Sequence, residues 1–177
     1  VSWIQTFTGR KFHPANPQPE QICIEDIAHA LGLSCRFGGH CTEFMSVADH
    51  CVMMSHNVSD ELAFTALMHD SAEAYLTDVP RPIKALLHDF MEFEDKVLEV
   101  IANKYKFVYP IPEEVKKADL MSLATERRDI MAPIVEEWGS LVGVEPFRDR
   151  ICPNPPRFAE AAFLVRFKEL CPDGVWL

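Results

Sequence analysis

The chain of 177 residues has 48% apolar and 25% charged residues and a formal net charge of −10, the balance of a globular domain large enough for its own core. With no Lys/Arg block to neutralise phosphates, it is a poor candidate for gripping nucleic acid, and its apolar runs fall short of a membrane span. Its six cysteines (Cys23, Cys35, Cys41, Cys51, Cys152, Cys171) form no Cys-x-x-Cys pair, and no secretory leader is legible, so mostly buried, reduced thiols in a cytoplasmic protein are expected.

Residues 1–20 contain Gly9, Pro14, Pro17 and Pro19 and read as an arm. Trp3, Ile4, Phe7 and Phe12 are its candidate anchors, and Arg10 and Lys11 offer cations that could fold over a bound anion. A first helix is expected from about Ile24 to Leu31, with Glu25 and Asp26 favouring its N-terminal dipole and Gly32 as its stop. A Gly-containing turn, Ser34 to His40, follows. Ser46 and Asp49 form a Ser-x-x-Asp capping pattern for a second helix, with an inner stripe of Val47, Cys51, Met54 and Val58 and with His50 beside it. A third helix is expected from Ser59 or Asp60 to about Tyr75, where Leu62, Ala66, His69 and Glu73 recur on one face.

Pro80 and Pro82 break the chain after Asp78. Leu86, Phe90, Phe93, Val97 and Val100 then predict an amphipathic helix to about Lys104. Pro112 suits the first turn of the next helix, ahead of Glu113 and Glu114, and Val115, Asp119, Ser122 and Glu126 share one face of it. Residues 139–156 are rich in Pro and Gly and read as an irregular connection. A last helix over 157–171 carries Phe158, Ala161 and Val165 on one face and Phe163, Phe167 and Leu170 on another, as if buried on two sides. The expectation is one all-α domain over 1–177, a compact bundle of about six helices.

His50, His69, Asp70 and Asp119 come from three of these helices. Ionisable groups are costly to bury unless paired or metal-bound, and imidazole with carboxylate suits a divalent Mn, Fe, Co, Ni or Zn ion. Four ligands leave two positions open on an octahedral ion but close a tetrahedral one. Each residue alone also reads as an ordinary core side chain, and spacing by itself leaves both readings open.

The segments Ser46-Val47-Ala48-Asp49-His50, Ala66-Leu67-Met68-His69-Asp70-Ser71-Ala72-Glu73, Asp78-Val79-Pro80-Arg81-Pro82-Ile83-Lys84 and Ala118-Asp119 together resemble the HD-domain metal-dependent phosphohydrolases. Glu73, Asp78 and Lys84 point to their nucleotidase branch, which includes 5′-deoxynucleotidases. The arm Trp3 to Arg10 and the turn Cys35 to His40 further resemble small phage and bacterial members, among them dATP triphosphohydrolases. The similarity spans roughly residues 3–128.

The resemblance implies that His50, His69, Asp70 and Asp119 ligate a divalent transition metal. It implies attack of an activated water on the α-phosphorus, with the nucleoside 5′ oxygen leaving. Glu73 is the expected proton handler, one turn beyond His69 on its face, and Asp78 is a second catalytic candidate. Arg36 matches a phosphate-binding position, as a planar guanidinium suits; Lys84, Arg81 and His40 are further substrate contacts. Ile22, Phe37 and Pro80 are candidate walls of a base pocket. The sharpest expectation is dATP hydrolysis to deoxyadenosine and triphosphate. The alternatives are a 5′-deoxynucleotidase acting on monophosphates and a non-catalytic nucleotide-binding module. The expected partners are a small nucleotide and a second copy of the chain, with neither nucleic acid nor membrane. The expected location is the cytoplasm, that of a host if the protein is phage-encoded.

Overall fold

In the arm, the chain turns at Gly9 (φ +84°) to pair β1 (Ile4–Gln5) antiparallel with β2 (Lys11–Phe12), Ile4 opposite Phe12. The computed structural model describes residues 2–133 and 136–172. Of the expected anchors, Phe12 is fully buried and stacks on Tyr75 at 4.3 Å between centroids. Trp3, Ile4 and Phe7 stay exposed. All the longer elements are helices, so the fold is all-α, as the periodicities require.

Helix α1 (Ile24–Leu33) runs past Gly32, which is buried within it. A Cβ there would lie 3.2 Å from Glu160 Cβ and Pro156 O. The glycine is thus a point of close helix approach rather than a stop. Helix α2 (Val47–His56) is capped as expected, with Ser46 Oγ accepting from Asp49 N at 3.0 Å. The Asp49 carboxylate instead accepts from Asn154 N and Nδ2, each at 2.9 Å, and so fastens the 139–156 connection to α2.

The expected third helix is broken. It comprises a 3-10 turn (Asp60–Leu62), α3 (Ala63–Met68) and α4 (Glu73–Leu76). Across the break the bonds are of the i→i−3 type, Ser71 N to Met68 O and Glu73 N to Asp70 O, both 3.0 Å. At the break, His69 Nδ1–H donates to Ala66 O at 2.8 Å, the carbonyl that a continuing helix would use for Asp70 N, and the Asp70 N–H is turned to Cys51 instead.

After α5 (Arg81–Lys84), helix α6 (His88–Tyr105) ends on Lys106 at φ 65°. Its second half buries Val97, Leu98 and Ile101, whereas Leu86, Met91 and Phe93 of the predicted stripe and its surroundings are exposed. Helix α7 (Glu113–Ile130) starts after Pro112. Residues 139–156 are irregular apart from a 3-10 turn (Gly139–Leu141). Helix α8 (Pro156–Leu170) packs on α1, α2 and α3. It buries Ala159, Phe163 and Phe167 and leaves Phe158 and Val165 exposed, so it has one buried face rather than two.

The larger of two apolar clusters runs from Phe12 and Ile27 through Val47, Leu67 and Ile101 to Phe163 and Phe167, and a smaller one joins Met54, Ala66, Val115, Ala118 and Phe147. Each fully buried large side chain contributes about 1.5–3 kcal/mol. All six cysteines are free thiols. No described helix is long and apolar enough to cross a membrane.

Candidate metal centre

Helix α2 is the pillar of the site, packed against α1, α3, α7 and α8. It carries His50, whose side chain is wholly buried. His50 Nδ1 donates to Glu126 Oε1 on α7 at 2.6 Å, leaving Nε2 turned to the opposite side. Ser122, one turn before Glu126, donates to the same oxygen at 3.3 Å. The other carboxylate oxygen, Oε2, accepts from Arg36 Nη2 at 2.8 Å and Nε at 3.3 Å. Glu126 thus ties the turn before α2 to the inner face of α2, and both of its oxygens are satisfied. Its burial is outweighed by Arg36 and His50, which hold the carboxyl down at about 2. Burial and the Arg36 cation pull the His50 imidazole down, but Glu126 overrides them and keeps it above its ordinary range.

The break between α3 and α4 supplies the other half. With Nδ1 committed to Ala66 O, His69 presents Nε2 to His50 Nε2 at 3.3 Å. Asp70 Oδ1 lies 3.3 Å from His69 Nε2 and Asp70 Oδ2 lies 3.5 Å from His50 Nε2, with Asp119 Oδ1 on α7 also at 3.5 Å from His50. Ligand atoms of His50, His69 and Asp119 all lie within 4.8 Å of one another. With each Nδ1 acting as donor, the neutral form of each ring carries its lone pair on the facing Nε2, and the two Nε2 atoms are flanked by two carboxylates. A shared cation is the chemical complement of that arrangement, so the residues fit a divalent transition metal with His50, His69, Asp70 and Asp119 as donors.

Beside the cluster lies a cavity of about 780 Å³, lined by Asp70, Asp119, Glu73, Asp78, Arg36, His40, Arg81 and Lys84 among its polar groups. Phe37, Pro80, Ile83, Leu123 and Trp138 give it apolar walls. Glu73 is buried and its Oε2 has no hydrogen-bond partner; burial, with Asp70 and Asp78 nearby, pushes its carboxyl well above the ordinary range. Lys84 Nζ stands 3.6 Å from Glu73 Oε1 and 2.7 Å from Glu94 Oε1. Asp78 Oδ2 is 3.8 Å from Arg36 Nη1, and burial raises its carboxyl despite that cation. Thr77, just before it, holds φ 81° and ψ 151°, a strained region normally left to glycine. Arg81, at the exposed rim, pairs with Asp119 Oδ2.

The structure therefore gathers ten of the predicted residues, His69, His50 and eight cavity-lining side chains, around one centre, and Pro80 joins them as a wall. Ile22 does not belong: it is fully buried in the core beside Phe12, away from the cavity lining, because residues 19–22 pack the arm onto the body. Arg10 is also elsewhere, donating to Glu20 O at 2.9 Å. Sequence reasoning assigned no role to Glu126, Glu94 or Trp138. For Glu126 the signal was present, since it shares a face with Asp119 and Ser122; for Glu94 and Trp138 no spacing pointed to the site.

No family model matches the chain. It is 42% identical over 173 residues, covering 96% of both chains, to the uncharacterized protein YfdR of Escherichia coli K12. The chain belongs to the YfdR family. It is also 28% identical over 183 residues, covering 93% of both chains, to the uncharacterized protein RCAP_rcc00048 of Rhodobacter capsulatus.

Proposed function

We propose that this member of the YfdR family is an HD-type metal-dependent phosphohydrolase that acts on deoxynucleotides at the α-phosphate, dATP triphosphohydrolase activity being its sharpest form. The observation that carries the reading is the convergence of two imidazole Nε2 atoms and two carboxylates beside a cavity with three cationic side chains and apolar walls. The cavity lies within the ~300–1,000 Å³ usual for small-molecule sites. Its carboxylates Asp70, Glu73, Asp78 and Asp119 outnumber its cations Arg36, Arg81 and Lys84. A divalent ion held beside them would offset this excess and favour phosphate.

A divalent ion held by His50, His69, Asp70 and Asp119 would supply Lewis-acid polarisation of the phosphoryl oxygen and acidify water. The protein's own groups do the rest. Arg36, locked by Glu126 and Asp78, presents a fixed guanidinium to phosphate oxygens. Glu73 Oε2, unbonded and proton-seeking, takes the proton of the attacking water. Lys84, between Glu73 and Glu94, stabilises charge on either the Glu73 carboxylate or the substrate. Phe37, Pro80 and Trp138 offer flat apolar surface to a base.

One observation favours the monophosphate alternative. Each cation already has a carboxylate partner, Arg36 with Glu126, Arg81 with Asp119 and Lys84 with Glu94, which leaves little unpaired charge for β- and γ-phosphates. Incubating the metal-loaded protein with each dNTP and dNMP, and identifying triphosphate or phosphate among the products, separates the two. Triphosphate from dATP supports the sharp form; phosphate from monophosphates alone sinks it, and inertness toward every nucleotide sinks the hydrolase reading.

A further inference from the structure

Cys35 and Cys41 bracket the turn that contributes Arg36, Phe37 and His40 to the cavity wall. Phe37, Gly38 and Gly39 have φ of 56°, 59° and 84°, a left-handed reversal that brings two cysteines six positions apart back beside one another. Their sulfurs lie 3.6 Å apart, and both residues are partly accessible to solvent. Cys41 Sγ also reaches Arg36 O at 3.8 Å.

The backbone holds the pair in place. Cys35 is bridged to Ser46 and Arg36 N donates to Met45 O at 2.9 Å. Thr42 donates to Ile130 O from N at 2.8 Å and from Oγ1 at 3.0 Å. Closing the sulfurs to a bond of ~2.05 Å asks for about 1.5 Å of approach, within the reach of side-chain rotation. The other thiols are placed differently: Cys23 donates to Glu25, Cys51 and Cys171 are buried, and Cys152 is exposed.

We infer that Cys35 and Cys41 are a reversible modification site, closed to an intramolecular disulfide by a peroxide, and that the bond constrains the Arg36–His40 wall of the cavity and so changes substrate binding. One thiol sulfur attacks a peroxide oxygen, the O–O bond breaks, and a sulfenic acid and one water result. The second sulfur then attacks the sulfenic sulfur, the S–S bond forms, and the S–O bond breaks to release a second water. The thiols lose two electrons and two protons, and the peroxide takes up both. A dithiol reductant reverses the change.

The disulfide does not depend on the hydrolase reading; its effect on substrate rests on that reading. The test uses the full chain carrying Cys152→Ser, so that the exposed thiol does not compete. After hydrogen peroxide treatment, the mass of the intact protein and its thiol count after denaturation are measured. The expected result is a loss of two thiols and two hydrogens, reversed by dithiothreitol and absent when Cys41→Ser is added. Mapping the linked peptides in the unaltered sequence gives the same answer without variants. An unchanged thiol count, or a loss that persists with Cys41→Ser, overturns the site. A several-fold change in KM on oxidation supports the constraint, and an unchanged KM with the disulfide formed overturns it. If the reduced protein hydrolyses no nucleotide, the hydrolase reading fails while the thiol count still decides the disulfide.

Discussion

Glu126 and Glu73 are both buried carboxylates beside the same cluster, yet their surroundings shift them in opposite directions. Glu126 accepts from Arg36, His50 and Ser122 and stays ionised, its carboxyl held down at about 2. Glu73 has one oxygen without any partner and a lysine no nearer than 3.6 Å, and burial drives its carboxyl well up. Burial by itself does not set a charge; the donors that follow the group inside do. Environments that push two acids apart in this way separate structural from proton-transferring roles.

The sharpest way to break the contrast is at Glu73. Glu73→Gln should lower nucleotide turnover about 10²–10⁴-fold while bound metal, by elemental analysis, and the melting temperature stay near wild type. Undiminished hydrolysis would remove Glu73 from the chemistry. At Glu126 the expected effect is on folding: Glu126→Ala leaves Arg36 and His50 buried without their shared partner, costing about 3–5 kcal/mol in urea unfolding. If the midpoint barely moved, the floor of the site would owe little to this carboxylate.

Asp129, also on α7, tests whether the Glu126 solution works elsewhere. It accepts from Arg128 Nη2 at 2.7 Å and Ile151 N at 2.9 Å, and the Arg128 bonds, against burial, hold its carboxyl below the usual range. A folded-state pKa below the unfolded one gives stability that is present above the unfolded value and lost as pH falls through the folded value. Asp129→Asn should therefore cost about 1–2 kcal/mol at neutral pH and progressively less under acid conditions, read as converging urea midpoints. The smallest effect belongs to the rim. Arg81→Ala breaks a half-exposed pair with Asp119 and should change stability by at most about 1 kcal/mol, by thermal melting; a larger loss would make the rim part of the rigid floor.

Periodicity and capping chemistry were enough to place the helices around His50, His69 and Asp119. Those signals are local: an apolar stripe of period 3.6 or a Ser46 cap is decided within a few residues. The same locality explains the misses. The continuous helix expected through Tyr75 breaks where the His69 side chain takes a carbonyl that the periodicity assigns to the backbone and the Asp70 N–H turns to Cys51. Ile22 fits a pocket wall by type but packs into the core with Phe12.

The all-α class and the Ser46 start of α2 were legible in the order of residues along the chain, and the resemblance nominated the candidate ligands. Only the tertiary structure decided that Glu126 joins Arg36 and His50 across 90 and 76 positions of chain, that Gly32 is a contact point for α8, and that Glu73 is left with an unbonded oxygen. A helical face can be read from spacing, but what stands opposite that face is set by the packing of distant segments, and it is the opposite partner that fixes charge and role.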